Sequence, residues 1–439
     1  MKVAVYAIAL NEQAFVERFM ATAREADLVV VADTGSTDET AAVLAGLGAI
    51  VHRLSIRPWR FDDARNAVLA LIPDDVDVCV SIDLDEVLTA GWRARLEAEW
   101  GIANRGKYSY TWSHHPDGSP AVTYTYDRIH SRHGYRWRHP CHETLYPDRI
   151  EQIDAHLSLE LHHWPDPTKP RSQYLDLLAV AAEEQPHDSR TAHYFGRELM
   201  YNGQWARAVD ELRRHLELPT SAYAPERAAS MRFVGRCLAQ LGQPDDALVW
   251  FRAATDTAPD TREPWVELAQ ACHDERRWHE CYDAAVAALH ITERPTIYIN
   301  DASSWGERPD DLASVAAWHM GLHADALAHA ERAAALAPHD SRIAANVAFY
   351  QNVVGQRRAQ AGPFTVGPLR WATSPPLCHR HVLRLQRRPP PTPAPPTPDP
   401  VLPATGDSSS SLLVTAAALA ATGGVASFFA RRRRRQPIS

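Results

Sequence analysis

The sequence lacks the cysteine spacing, the basic charge and the long N-terminal apolar run that mark several common protein classes. None of its six cysteines forms a Cys-x-x-Cys pair, so neither a zinc ribbon nor a disulfide framework is predicted. The formal net charge of −8 argues against a nucleic-acid-binding protein, which would need a basic face, so no nucleic-acid partner is expected. The apolar residues 3–10 are too few for a signal peptide and predict a first β-strand instead.

The first 170 residues alternate between strand-like and helix-like patterns. Apolar, β-branched runs cover residues 3–10, 28–32, 49–53 and 76–82, and amphipathic helical patterns lie between them. This alternation predicts a parallel, doubly wound α/β sheet in residues 1–170. Ligands bind such sheets beyond the carboxyl ends of the strands, where Asn11, Asp33 and Asp83 are expected to lie.

Three acids in four residues, Asp83 to Glu86, directly follow the fourth predicted strand. Carboxylates as near to one another as these repel each other, and removing any one of them from water on its own is costly. A divalent cation removes both penalties, and oxygen ligands at alternate positions suit an ion that also binds a phosphate. Taken alone, the cluster could equally be a solvated acidic turn.

Two further clusters follow predicted strands or precede helices in the same domain. Residues 33–38, Asp-Thr-Gly-Ser-Thr-Asp, combine a glycine that permits a tight turn with hydroxyls and carboxylates that can bond a base or ribose. Residues 61–66 end in Arg65 and Asn66, and an arginine offers a forked donor for a phosphate or base oxygen. The alternatives are that Asp33 only caps a turn and that Arg65 forms a surface ion pair.

Together these clusters resemble the family 2 glycosyltransferases of the GT-A fold. The matching segments are Ala9-Leu10-Asn11-Glu12, residues 33–38, Ala64-Arg65-Asn66 and Asp83-Leu84-Asp85-Glu86. The resemblance is strongest to a bacterial branch in which tetratricopeptide repeats follow the transferase. It implies a Rossmann-like GT-A domain, a nucleotide-diphospho-sugar donor, Mn2+ or Mg2+, and inversion at the anomeric carbon.

The resemblance also implies roles for individual residues. Asp33 would hold the nucleoside, Arg65 would help to bind the nucleotide, and Asp83 would face the ribose. Asp85 would coordinate the metal that bridges the diphosphate. The complete set implied for the nucleotide sugar is Asn11, Glu12, Asp33, Asp38, Arg65, Asn66 and Asp83.

Two later residues complete the predicted site. An acceptor hydroxyl must lose its proton to a base, and Glu143 is the candidate; the alternative is that it pairs with Arg138 or Arg149 for structure. GT-A enzymes often add a late histidine to the metal, and here His163 is preferred over His162. The alternative is that this histidine is only a hydrogen-bonded surface group.

Residues 188–355 form an Ala-rich helical segment with internal repeats. Alignment on small residues superimposes Ala208, Ala247, Cys281 and Ala326. Twelve positions before the first two stand Gly196 and Gly235, and four positions after them stand Leu212 and Phe251. This resembles the tetratricopeptide pattern and predicts a four-unit solenoid whose concave face could bind the acceptor or a protein partner. A plain helical bundle is the alternative.

The C-terminal region changes character again. Residues 356–401 are Pro-rich and predict a disordered linker. Residues 402–439 resemble a Gram-positive sortase signal: Leu-Pro-Ala-Thr-Gly, a charge-free span at 412–430 long enough to cross a membrane, and five arginines. Cleavage would fall between Thr405 and Gly406.

The two ends of the chain predict different compartments. The tail predicts membrane association and cell-wall anchoring, whereas nucleotide-sugar chemistry predicts a cytoplasmic enzyme. A missing leader, a fused tail or a simple membrane tether would each reconcile them. The expected function is therefore sugar transfer to an unidentified glycan, lipid or protein acceptor. The alternative is a surface-anchored scaffold whose first domain is not catalytic; an aspartyl-phosphate phosphatase is disfavoured, because its Asp-x-Asp follows the first strand.

Overall fold

The computed structural model of the chain describes residues 1–166 and 173–361. Residues 1–355 fall within one unit, in which an α/β part precedes a helical part. Nearly all of the predicted linker at 356–401, and the whole tail at 402–439 with its span at 412–430, lie outside the described residues. Within the described ranges, no helix is both long and apolar enough to cross a membrane.

The α/β part alternates strands and helices as far as its fourth strand and then becomes rich in strands. Its helices are α1 (Gln13–Ala23), α2 (Thr40–Gly46), α3 (Phe61–Ala70) and α4 (Trp92–Glu99). Its strands are β1 (Val3–Ala9), β2 (Leu28–Asp33), β3 (Ile50–Arg53), β4 (Val78–Ser81), β5 (Glu86–Leu88), β6 (Arg105–His114), β7 (Pro120–Ser131), β8 (Tyr135–Arg138), β9 (Thr144–Pro147) and β10 (Asp154–His163).

Eight of these strands form one mixed sheet in the order β3-β2-β1-β4-β7-β6-β10-β5, and β8 pairs with β9 separately. The strands from β3 to β4 are parallel, and β1, at their centre, is buried at all seven residues. Beyond β4 the sheet changes: β7 is antiparallel to both β4 and β6, and β5 is antiparallel to β10.

The predicted GT-A, Rossmann-like fold with a parallel, doubly wound sheet over residues 1–170 is therefore wrong. The parallel arrangement holds only for the first four strands, where crossover helices return the chain to the same edge. Beyond them β6 and β7 form a long hairpin joined at residues 115–119, which contain the turn sequence Pro-Asp-Gly. A hairpin connection imposes antiparallel pairing, and this turn was the sequence signal that would have revealed it.

The helical part begins earlier than the repeat pattern, with a helix that packs on the first repeat. Its helices are α5 (Gln173–Glu184), α6 (Ser189–Tyr201), α7 (Trp205–Glu217), α8 (Ala224–Gln240), α9 (Pro244–Thr257), α10 (Arg262–Asp274), α11 (Trp278–His290), α12 (Arg308–His319), α13 (His323–Leu336) and α14 (Ser341–Ala361). A short 3-10 helix covers Ala302–Trp305.

The predicted tetratricopeptide-like repeats are confirmed by the way their helices cross. A Cβ on Gly196 of α6 would lie 2.6 Å from Leu212 Cγ of α7, and one on Gly235 of α8 would lie 2.8 Å from Phe251 Cζ of α9. Only glycine allows these close approaches. The four aligned small residues are all buried, as a repeated crossing point requires.

The connection between α11 and α12, residues 291–307, lies against the first helices of the repeats. These helices, α6, α8, α10 and α12, each contact the next and so form the inner side of the stack. Tyr298 donates its hydroxyl to Glu226 of α8, and Trp305 Nε1 donates to Glu263 Oε1 of α10 at 3.0 Å. Part of the concave face predicted to bind a partner is therefore covered by the chain itself.

A buried carboxylate in α10 should make the stability of the repeats pH-dependent. Glu267 accepts from Arg236 Nε at 2.8 Å and lies 3.4 Å from Arg232 Nε. Burial opposes its ionisation, but the two guanidinium charges outweigh burial and lower the pKa of Glu267 to about 2 from 4.5. Because the folded pKa is the lower one, the stabilisation is complete above pH 4.5 and is lost as the pH falls towards 2.

We therefore expect Glu267→Gln to destabilise the repeats at pH 7 by at most about 3 kcal/mol, and to flatten the loss of stability on acidification. Urea midpoints measured between pH 7 and pH 3 would show the effect. Glu217→Gln, at an exposed position of the neighbouring α7, should follow the wild-type curve. Parallel curves for wild type and Glu267→Gln would contradict the prediction.

Candidate functional site

The acidic segment lies directly beyond β4, as predicted, and its first carboxylate is held by two arginines. Arg65 Nη2 donates to Asp83 Oδ1 at 2.8 Å, and Arg128 Nη1 donates to Asp83 Oδ2 at 3.2 Å. Burial opposes the ionisation of Asp83, but the two arginines outweigh it and hold the pKa of this carboxyl below its usual range. Asp83 is therefore a fixed anion at the edge of the sheet.

Glu86, the last acid of the segment, is an internal partner of Arg128. It is 2% exposed, accepts from Arg128 through both oxygens, and accepts from Tyr110 Oη at 2.8 Å. It also accepts from the backbone N–H of Asp83 at 2.8 Å, which fixes the turn. Sequence reasoning missed Arg128, because it lies in the middle of β7 and belongs to no local motif.

Arg65 joins two of the predicted site residues. While Nη2 holds Asp83, Nε donates to Glu143 Oε1 at 2.5 Å, and the guanidinium lies 5.1 Å from the ring centroid of Trp137. The alternative of a surface ion pair is wrong, since Arg65 is buried, and the partner of Glu143 is Arg65 rather than Arg138 or Arg149. The structure thus brings the candidate base and the acidic segment together.

His163 lies beside Asp85, at the end of β10. Its Nε2 is 3.4 Å from Asp85 Oδ2, while Nδ1 is 3.1 Å from the carbonyl oxygen of Trp112. A carbonyl only accepts, so Nδ1 carries the proton, and Nε2 of the neutral ring presents a lone pair to the carboxylate. His162 instead pairs with His114, at 3.0 Å, so it is His163 that reaches the acidic segment.

Two facing lone pairs need either a proton or a cation between them. Burial disfavours the charged ring, but the hydrogen bond and charge of Asp85 outweigh this effect and raise the pKa of His163. Within residues 1–166 and 173–361, no group of three or more His, Cys, Asp or Glu side chains could hold a metal. The Asp85–His163 pair therefore fits Mn2+ or Mg2+ only if other ligands, such as diphosphate oxygens and water, complete the shell.

Asn11, Asp33 and Asp38 are tied into one loop beyond β1 and β2. Asn11 Oδ1 accepts from Thr37 N at 2.7 Å, and Asp33 Oδ1 accepts from Ser36 N at 3.1 Å. Gly35, with a φ of 120°, makes the turn between them. Asp38 accepts from the N–H and hydroxyl of Thr40 at the start of α2 and from Gln13 N at 3.3 Å. The loop is preformed, and Asp38 supports it.

The two other residues predicted for the nucleotide sugar lie in different surroundings. Asn66 bridges to the backbone of Trp137, donating to its carbonyl at 2.9 Å and accepting from its N–H at 3.0 Å. Glu12 is buried, and its N–H donates to the hydroxyl of Thr40 at 2.8 Å. The contacts of Asn66 stabilise β8 against α3. Among the described residues, none of the side-chain hydrogen bonds of Asn66 reaches the acidic segment.

Comparison with known proteins supports the predicted C-terminal anchor motif. Residues 394–436 match the family model of the LPXTG cell wall anchor motif, so the chain carries that motif. The match covers the predicted sortase cleavage at Thr405 and Gly406 and supports cell-wall anchoring. No curated protein matches the sequence.

Several solved structures show weak similarity. A crystal structure of MamA has 15% sequence identity, covers 39% of this chain and 86% of that chain, and has a TM-score of 0.32. PilF of Pseudomonas aeruginosa has 15% identity, covers 40% and 72%, and has a TM-score of 0.32. MamA from Desulfovibrio magneticus RS-1 has 16% identity, covers 39% and 87%, and has a TM-score of 0.31. None of these matches is to a glycosyltransferase.

Proposed function

We propose that the N-terminal domain is a metal-dependent transferase that moves a sugar from a nucleotide-diphospho-sugar to an acceptor hydroxyl, with the repeats binding the acceptor or a protein partner. The observation that carries the proposal is the Asp85–His163 pair. In the neutral ring of His163, Nδ1 carries the proton and Nε2 points a lone pair at the carboxylate of Asp85. The pair lies near the end of β4, and ligands bind α/β sheets beyond the carboxyl ends of their parallel strands. A metal ion, like a proton on Nε2, would satisfy this pair, and the incomplete shell would leave room for a diphosphate.

Asp85 and His163 would hold Mn2+ or Mg2+, and the bound ion would supply positive charge against the leaving diphosphate. Asp83, kept ionised and oriented by two arginines, would accept hydrogen bonds from the ribose. The preformed loop with Asn11 and Asp33 would contact the nucleoside. Because the loop is ordered before binding, little conformational entropy would be lost.

Glu143 is the group proposed to take the proton from the acceptor hydroxyl as it attacks the sugar from the face opposite the diphosphate. Its Oε1 is oriented by Arg65, the same side chain that orients Asp83. One buried arginine would thereby set the relative positions of the donor side and the acceptor side. Such coupled positioning is what a transfer between two bound substrates needs.

The direct test is a thermal-shift screen of the full chain with uridine, guanosine and thymidine diphospho-sugars, with and without Mn2+. We expect stabilisation only when a donor and Mn2+ are both present. A donor at 100 times its dissociation constant should stabilise the domain by about 2.7 kcal/mol. Absence of any donor-dependent shift in the presence of Mn2+ would reject the proposal.

A second function is favoured by the LPXTG tail: a surface-anchored scaffold in which the repeats bind a partner and the N-terminal domain is not catalytic. Outside the cell membrane, nucleotide sugars are scarce. Protease treatment of intact cells would distinguish the two functions, because an anchored protein loses its N-terminal domain to the protease and a cytoplasmic one does not. Digestion together with a null donor screen would support the scaffold.

A further inference from the structure

Two arginines of α6 lie over the same aromatic ring. The guanidinium carbons of Arg190 and Arg197 are 4.7 and 4.5 Å from the ring centroid of Tyr194. In the part of the chain that the structure describes, neither forms an ion pair with a carboxylate, whereas Arg214 and Arg236 each do. Both guanidinium groups therefore lie beside one ring, and neither has a carboxylate partner among the described residues.

These cations are partly removed from water as well. The Nε atoms of both arginines are buried and have no hydrogen-bond acceptor within the described residues. The hydrogen bonds they do form are long: Arg190 Nη2 to the carbonyl of His142 at 3.5 Å, and Arg197 Nη2 to His142 Nε2 at 3.4 Å. Unpaired, desolvated charge of this kind is costly, and a bound anion would offset the cost.

The carboxylate that acts electrostatically on Arg190 already has other partners. Glu226 interacts with Arg190 electrostatically, but it accepts from Tyr298 and lies 3.4 Å from His215 Nε2. Among the residues that the structure describes, no acid therefore pairs with either arginine, and an external anion could do so.

The pair lies next to the candidate base. The ring of His142 stacks on Tyr194 with 4.2 Å between centroids, and the following residue is Glu143, which binds Arg65. Both arginines thus contact the residue that precedes the candidate base, through the carbonyl and the ring of His142.

We propose that Arg190 and Arg197 bind an anionic group of the acceptor, a phosphate or a carboxylate. Guanidinium groups donate paired hydrogen bonds that match the oxygen spacing of both anions. Anion binding follows from the unpaired arginines alone, and only the identification of the anion as part of an acceptor rests on the proposed function. The acceptor is then an acidic molecule rather than a neutral one.

The test is calorimetric titration of the full chain with glucose 6-phosphate, glucuronate and glucose, without donor or metal. The variants are Arg190→Gln, Arg197→Gln and the double variant. Arg213→Gln is the matched control, since Arg213 also lies over an aromatic ring, 5.6 Å from the centroid of Trp250, but is exposed and on α7.

We expect one of the two acids to bind, each single variant to weaken its binding about tenfold or more, and Arg213→Gln to bind like wild type. The tighter acid identifies the anion as phosphate or carboxylate. Without anion, the variants should unfold at a temperature no lower than wild type, which separates lost binding from lost folding. Equal affinity in the double variant, or glucose binding as tightly as the acids, would overturn the site.

Hydrolysis of a nucleotide sugar in the presence of Mn2+ tests the donor side separately. Donor hydrolysis unaffected by Arg197→Gln, together with a raised KM for the acidic acceptor, supports the acceptor assignment. Anion binding without any donor binding would leave the arginine site in place but would refute its role in acceptor recognition and the proposed function with it.

Discussion

Asp85→Asn should abolish the metal dependence of the N-terminal domain while leaving its fold intact. The amide keeps the size of the side chain but removes the charge that faces His163 Nε2 at 3.4 Å. Without that charge, the proposed metal loses its anionic protein ligand, and stabilisation of the leaving diphosphate is lost. We expect donor turnover to fall by about 10²–10³-fold or more, and the Mn2+-dependent thermal shift to disappear.

The matched control is Glu160→Gln, an exposed carboxylate on the same strand as His163 that lies 3.8 Å from His162. This variant should keep both turnover and the Mn2+ shift. Full activity in Asp85→Asn would remove the metal role from Asp85. Loss of activity in both variants would show that removing any negative charge near the end of β10 lowers activity, rather than the loss of a metal ligand.

Glu86→Gln should cause the largest loss of stability in the α/β part. Glu86 neutralises Arg128 inside the sheet. Removal of its charge leaves a buried guanidinium whose remaining carboxylate partner, among the described residues, is Asp83 at 3.2 Å. Breaking one side of a buried ion pair costs about 3–5 kcal/mol. We expect the unfolding temperature to fall by roughly 10 °C, measured by calorimetry.

The pair can also be removed as a whole. Glu86→Gln combined with Arg128→Met leaves no unpaired charge, so the double variant should be more stable than Glu86→Gln alone. Glu97→Gln is the control, because Glu97 pairs with Arg93 at the surface and its loss should cost less than about 1 kcal/mol. A double variant no more stable than the single one would show that Arg128 is not left uncompensated.

The parallel half of the sheet could be predicted from the sequence, because each of its elements has a strong local signal. The apolar runs that became β1 to β4 are short and β-branched, and the helices between them are amphipathic. The repeats could also be predicted, because residues of the same type recur at a fixed spacing. Gly196 and Gly235 were aligned from this spacing, and each packs closely against a partner helix in the structure. The LPXTG tail was visible for the same reason.

The antiparallel half was not predicted, and the error led to the wrong fold class. Its strands β6 and β7 alternate polar and aromatic residues, so without attention to the turn at 115–119 they resemble only an aromatic region. β10 alternates polar residues with leucines. The pairing of β6 with β10 joins residues about fifty positions apart, and no local pattern encodes such a contact.

The candidate site divides in the same way. Asp83, Asp85 and the loop at residues 33–38 could be recognised from the sequence. In each case several polar residues follow one another directly after a predicted strand, which is typical of a ligand-binding site. Arg128 was not, since it reaches Glu86 from 42 positions away and only the fold brings them together. The ion pair between Arg65 and Glu143 likewise spans 78 positions.

The sequence by itself determined where helices and strands alternate, where the repeats begin and which tail the chain carries, because each of these depends on residues close together in the chain. Only the tertiary structure decided that the sheet is mixed and that Arg65 and Arg128 neutralise the acidic segment. It also decided that two arginines of α6 have no carboxylate partner among the described residues. The physical reason is that charges are balanced through space: which carboxylate compensates which guanidinium is set by strand pairing and helix packing.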